Sequence, residues 1–214
     1  MVLEKKPVTA IINVPEELLL EGDYVLLKTG VSEKRFWEIA DEDSNFELID
    51  GMLVIHSPAS TEHEELFKRL FSFLVFYLEK TGEGRVLGSR LIMRLSESWN
   101  PEPDIFVVTS KHVKNIKSTR LDGPADIVIE ILSKASREID ITKKLPKYLA
   151  TGVLEVWLID PEMKRISVHT KTGVEDYVNP DSDEKIKSHV LPGLDLHVTW
   201  VWNREKHPLH TIIR

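Results

Sequence analysis

The stretch Asp126-Ile127-Val128-Ile129-Glu130-Ile131-Leu132 decides the fold. Its density of β-branched residues marks a strand, and strand geometry sends alternate side chains to opposite faces. Val128, Glu130 and Leu132 share one face, and the three isoleucines share the other. Both faces read as apolar, the pattern of a central strand covered by helices on either side. Glu130 breaks that pattern. An isolated carboxylate buried in such a strand is costly unless it is paired or holds a metal ion. The sequence therefore predicts a compensating group close to Glu130.

Outward from this strand, residues 136–150 predict a helix stopped by Gly152, and residues 154–159 a further strand ended by Asp160-Pro161. Upstream, residues 85–87, 91–95 and 104–108 read as strands. Before them lies a long helix that follows Pro58 and ends near Gly82. Thr61 and Glu64 have capping-box spacing, and Ser60 serves equally well as the cap. Leu66, Leu70, Phe73, Leu74 and Tyr77 recur at helical spacing as a buried stripe. Residues 46–49 and 52–55 flank Asp50-Gly51, a strong hairpin signal because glycine accepts the positive φ of a tight turn. Residues 32–41 predict a short helix capped by Ser32 with Phe36, Trp37 and Ile39 on its apolar side. Two or three more strands, including residues 194–199, complete the chain. The expected class is α/β, a mixed central sheet flanked by helices. Residues 1–30 read as an irregular N-terminal arm, and 31–214 as a single domain.

The 214 residues suffice for one substantial core. The absence of cysteine excludes disulfides, thiolate metal sites and cysteine nucleophiles. No apolar run approaches the roughly 18 residues of a membrane span, and charges and prolines interrupt the N-terminus before a signal peptide develops. The expected location is the cytoplasm. A net charge of −7 excludes a broad basic footprint for nucleic acid. Basic surface has to be local, at Lys111, Lys114, Lys117 and Arg120 or at Lys143, Lys144 and Lys147, and runs like these are commonly just solvated faces.

Two more carboxylates sit against apolar strands. Asp104 follows Pro103 and precedes Ile105-Phe106-Val107-Val108, and Glu47 lies in Phe46-Glu47-Leu48-Ile49. Carboxylates gathered from neighbouring strand ends supply hard oxygen ligands suited to Mg²⁺ or Mn²⁺. Each also has a plainer reading: Asp104 as a turn cap, Glu47 as a cross-strand pair, Glu130 as a partner of Arg90 or Arg94. His207 and His210 have a zinc-like spacing without further ligands. Nothing resembles a phosphate-cradling glycine loop or a serine-hydrolase elbow.

Pro103-Asp104 followed by Glu130 resembles the signature of the PD-(D/E)XK nuclease superfamily. A longer ordered series resembles the Uma-type family of bacterial restriction-endonuclease-like proteins over about residues 31–200. It runs through Glu47-Leu-Ile-Asp-Gly51, Ser57-Pro58, His63, Pro103-Asp104-Ile105, Val128 to Ser133, Asp140, Lys144, Tyr148, Gly152-Val153, Glu155-Val156-Trp157 and Asp160-Pro161. Leu191-Pro192-Gly193-Leu194 continues the match. The resemblance implies a Mg²⁺-dependent (or Mn²⁺-dependent) endonuclease acting on double-stranded DNA, with a homodimer favoured for cutting both strands. It implies Asp104 and Glu130 as metal ligands and Glu47 as a further ligand or an acid behind them. Leu132 stands where the signature lysine is expected, and the resemblance implies a lysine from the following helix. At about 100° per residue, Ile141, Leu145, Tyr148 and Leu149 form one stripe. Lys144 lies at its edge, while Lys143 and Lys147 point to water. Asp140, four residues before Lys144, is placed to orient it. His63, on the stripe with Leu66 and Leu70, is a site-lining candidate. Two rival readings are a catalytically idle module that binds nucleic acid or protein, and a hydrolase of small phosphoesters.

Overall fold

The 126–132 segment is indeed the middle of a sheet. In the computed structural model, which describes residues 23–41 and 44–213, Ile127–Ile131 forms strand β9, buried along its whole length. Ahead of it in the chain come β1 (Val25–Lys28), β2 (Phe46–Ile49), β3 (Met52–His56), β4 (Gly84–Gly88), β5 (Ile92–Arg94), β6 (Trp99–Asn100), β7 (Ile105–Thr109) and β8 (Arg120–Asp122). After it come β10 (Glu155–Asp160), β11 (Arg165–Thr170) and β12 (Gly173–Tyr177). Six strands make the main sheet in the order β12-β11-β10-β9-β7-β4. β9 and β10 are parallel and the other pairings are antiparallel, so the sheet is mixed.

Both faces of β9 are covered, as its alternation demands. Ile127, Ile129 and Ile131 pack under Leu66, Leu70, Phe73 and Leu74, which belong to helix α2 (Thr61–Thr81). Val128 and Leu132 join Phe106, Val108, Tyr148 and Val156 on the other face. The parallel β9–β10 pair needs a helical crossover. Helix α3 (Arg137–Ile139), a π-helical turn over Asp140–Lys144 and helix α4 (Leu145–Thr151) supply it. Ser60, not Thr61, caps α2, and Gly82 closes it at φ 72°.

A second, four-stranded sheet, β1-β3-β2-β6, carries Glu47. Asp50 and Gly51 take φ of 54° and 73° in its hairpin, which sets the register Ile49↔Met52 and Glu47↔Val54. Helix α1 (Glu33–Ile39) is capped by Ser32 and buries Phe36. Among the described residues no helix is long and apolar enough to cross a membrane.

Three local expectations change. Residues 1–22 of the expected arm lie outside the described residues, but Val25–Lys28 is a regular strand paired with β3, so the irregular reading does not hold there. Residues 194–199 do not form a strand. Leu194, Leu196 and Val198 are buried as the alternation suggests, yet only an isolated Lys185↔His197 bridge forms, and the chain then turns into helix α5 (Val198–Trp202). Ile141 is 38% exposed rather than part of the apolar stripe. The wider π-turn delays the helical phase and rolls Ile141 outward.

Gly88 pairs with Ile105 where β7 begins. A Cβ there would lie 2.2 Å from the Asp104 carbonyl oxygen, a backbone atom that cannot swing aside. Gly88→Ala is expected to cost about 1–3 kcal/mol, the range for overpacking, read as a lower urea midpoint. An unchanged midpoint would show that β4 and β7 separate freely at this point.

Candidate functional site

Because β7 and β9 are antiparallel, with Ile105 opposite Ile129, the start of β7 lies beside the end of β9. Asp104 thus meets Glu130. The Asp104 N–H donates to Glu130 Oε2 at 3.3 Å, and the Ile131 N–H donates to Asp104 Oδ2 at 2.7 Å. Glu47 arrives from the smaller sheet, where the Glu102 N–H donates to its Oε1 at 2.8 Å. The π-turn contributes Asp140 and Lys144 from the same helical face. The Lys144 ammonium lies 2.8 Å from Glu47, 3.1 Å from Asp140 and 3.4 Å from Glu130. All four of these side chains are buried.

The site residues expected from sequence therefore converge. His63 joins them from the first turns of α2, with Nε2 3.1 Å from Asp104 Oδ1. The plainer readings hold in part. Glu47 does reach across its hairpin, to His56 Nε2 at 2.7 Å, whereas Asp104 accepts from the Ile131 N–H of the neighbouring strand and not from a local turn. Arg94, in contrast, pairs with Glu33 and not with Glu130. Lys143 and Lys147 are half-buried rather than free in water, and the Lys147 ammonium sits 5.0 Å from the centre of the Trp99 ring.

Three partners were not singled out as site residues from sequence. Tyr148 donates its hydroxyl to Glu130 Oε1 at 2.7 Å; its place in an apolar stripe concealed its polar end. Glu102, between two prolines, lines the cleft and keeps Oε2 buried without a hydrogen-bond partner. His56 was legible in principle. The Asp50-Gly51 turn sets Glu47 opposite Val54, and period-two alternation puts residue 56 on the same face as residue 54.

Equal burial gives the carboxylates different electrostatics. Burial pulls Glu47 upward, but the Lys144 charge and the His56 hydrogen bond outweigh it and hold Glu47 at about 2. Burial drives Glu130 well above the usual carboxylate range, with the more distant Lys144 offsetting it only partly and Asp140, Asp104 and Glu47 adding to the rise. Asp140 is raised by burial as well, against Lys144 and the Ser136 hydroxyl. Glu102 is pushed up to about 9 by burial and the Glu47 charge. Burial would lower Lys144, yet Asp140, Glu130 and Glu47 keep it well above its ordinary value. Burial opposes protonation of His63 too, but Asp104 raises it overall.

His63, Glu102, Asp104, Glu130, Asp140 and Lys144 line a cleft of about 710 Å³, and Glu47 sits behind them, outside its lining. Its lining carries seven carboxylates (Asp23, Glu62, Glu102, Asp104, Glu130, Asp140 and Glu162) against Lys134, Arg137 and Lys144. Arg137 is already paired with Asp160. The basic run at Lys111, Lys114, Lys117 and Arg120 is of no help here. None of its residues lines the cleft, and its start follows Thr109, whose N–H bonds to Asp126 at the far end of β7 and β9.

The model of the Uma2 family, described as "Putative restriction endonuclease", matches residues 33–199. The chain also superposes on a crystal structure from Anabaena variabilis described as "a putative nuclease belonging to DUF820". The TM-score is 0.69 at 19% identity, covering 81% of this chain and 98% of that one, a likeness that shows the fold. Comparison with curated proteins gives no match.

A carboxylate held at about 2 instead of 4.5 adds stability that is complete above pH 4.5 and is lost as the pH falls toward 2. Glu47→Gln is therefore expected to lower stability at pH 7 by on the order of 3 kcal/mol. The gap to wild type should close between about pH 4.5 and 2 in urea unfolding. A gap that ignores pH would mean that Glu47 acts through packing and not through charge.

Proposed function

Because the chain belongs to the Uma2 family, we propose that it is a metal-dependent endonuclease that hydrolyses phosphodiester bonds of double-stranded DNA. The observation that carries this reading is the meeting of Asp104 and Glu130 at the cleft floor, beside the buried Lys144. Among the described residues no three or more histidine, aspartate or glutamate side chains stand close enough to hold a metal ion together. Mg²⁺ or Mn²⁺ does not require such a cluster. Such an ion keeps several waters and takes one or two carboxylates plus substrate phosphate. The donor chemistry agrees, since Glu130 is an oxygen donor whose ionised form is short of positive charge.

Asp104 and Glu130 are the proposed ligands. When bound, the ion would neutralise charge on the scissile phosphate and make a bound water more acidic. Both Glu47 oxygens are engaged, one with Lys144 and the Glu102 N–H and the other with His56. Glu47 is therefore assigned to holding Lys144 and His56 and not to the metal. Lys144 supplies a fixed positive charge against the negative charge that develops on the phosphoryl oxygens. Tyr148 and the Asp104 N–H orient Glu130, and Asp140 orients Lys144. The proposed setting is the cytoplasm, with a homodimer for cutting both strands.

One observation favours a second reading. The acidic lining of the cleft suits a small phosphoester better than a polyanion, whose approach normally relies on basic surface. A single assay separates the readings: plasmid DNA, linear DNA and bis(p-nitrophenyl) phosphate, each with Mg²⁺, Mn²⁺ or EDTA, beside Glu130→Gln. Metal-dependent DNA cleavage that falls by about 10² or more in Glu130→Gln is the expected result. Turnover of the small ester alone favours the second reading. No hydrolysis of any substrate contradicts both and leaves an idle binding module.

A further inference from the structure

Hydrolysis of a phosphodiester joins a water oxygen to phosphorus and breaks one P–O ester bond. The water gives up a proton and the departing oxygen gains one. Few groups of the site are free to take the first proton, since Glu102, pushed up to about 9, already holds one at neutral pH. An ammonium has three N–H groups, and three carboxylates surround that of Lys144 within 3.4 Å. Glu47 is committed to Lys144, His56 and a backbone N–H. His63 spends Nε2 on Asp104, and its buried Nδ1 has no hydrogen-bond partner and lies 3.9 Å from the Glu64 carboxylate.

His56 differs from His63 on this point. It ends β3 and lines the cleft, with 20% of its side chain exposed. Nε2 faces Glu47 Oε2 at 2.7 Å, and Nδ1 makes no hydrogen bond among the described residues. A carboxylate that stays ionised only accepts, so the ring nitrogen facing it carries the hydrogen. In the neutral ring the lone pair then lies on the other nitrogen. This is the logic by which a buried carboxylate selects the tautomer of a catalytic imidazole.

We propose that His56 is a general base of this site, its Nδ1 taking the proton from the attacking water while Glu47 holds the ring. The inference rests on the hydrolase reading above and adds a residue to it. Balance is complete without any co-reactant: the proton leaves water for Nδ1, the water oxygen bonds to phosphorus, and the ester oxygen departs with the bonding pair and is protonated from solvent. Glu47 on β2 faces His56 directly; the charged and titratable groups that line the cleft with it are Asp23 ahead of β1, Glu62 and His63 on α2, Glu102 and Asp104 ahead of β7, Glu130 on β9, Lys134 and Arg137 after it, Asp140 and Lys144 in the π-turn, and Glu162 after β10.

Two measurements on the full chain test the proposal. Nitrogen-15 NMR of protein labelled at histidine should show the His56 ring, when neutral, as the Nε2–H tautomer, and the Nδ1–H tautomer would overturn the inference. Metal-supported cleavage should fall by on the order of 10² in His56→Gln. Added imidazole should restore part of the lost rate in His56→Ala, which a merely structural loss would not allow. Wild-type cleavage with an unchanged rate in His56→Gln, or with no imidazole rescue of His56→Ala, overturns the base role and leaves the nuclease reading standing. No cleavage by wild type overturns both.

Discussion

Glu130 occupies a strand whose neighbours on both faces are apolar, and the surroundings of that one carboxylate organise much of the molecule. Leaving it unpaired would cost several kcal/mol, because a buried charge loses its hydration without recompense. The chain meets the cost with Lys144, Tyr148 and the Asp104 N–H, drawn from the crossover and from the neighbouring strand. Each of them constrains the backbone. Lys144 and Tyr148 fix the rotation of the crossover helix over the sheet. The Asp104 N–H fixes how β7 begins against β9. Compensation remains incomplete, since Glu130 stays well above the ordinary carboxylate range. A divalent cation is the kind of ligand that would complete it.

Glu47 shows how the second sheet is tied to the first. It is the carboxylate nearest Lys144, and it also accepts from the Glu102 N–H, in the segment that leads to Asp104. The smaller sheet is thus joined to the site through charge as well as through chain connectivity. One helical turn with a π register makes this junction geometrically feasible. It brings Asp140 and Lys144 inward together while Ile141 goes out. Irregular helical turns of this type recur at functional sites.

Much of this was legible in the sequence, for identifiable reasons. The Asp50-Gly51 turn and the alternation in β9 are local signals, and both produced correct strands. Convergence of Asp104, Glu130 and Lys144 followed from strand ends, helical phase and the family resemblance. Partner choice was less legible. Whether Glu130 would meet Arg94 or Lys144 depends on the β7–β9 and β5–β8 registers, which no single segment encodes. The π-turn was illegible because a regular 100° periodicity was assumed across it. Residues 194–199 misled for the opposite reason: their alternation is real, but their burial comes from packing onto the core and not from a ladder. Val25–Lys28 was missed because its pairing with β3 is a tertiary choice that no local signal announces.

The cleft is more acidic than a surface built to grip DNA unaided, and none of Lys111, Lys114, Lys117 and Arg120 lines it. The ion proposed at Asp104 and Glu130 would therefore carry more than the chemistry, since it would also set whether a phosphate can approach. The most direct test is anomalous diffraction from crystals grown with Mn²⁺. A peak between Asp104 and Glu130, at the roughly 2.0–2.6 Å oxygen distances of hard divalent cations, is the predicted result. A peak elsewhere, or none at Mn²⁺ concentrations that saturate any activity, would contradict the account.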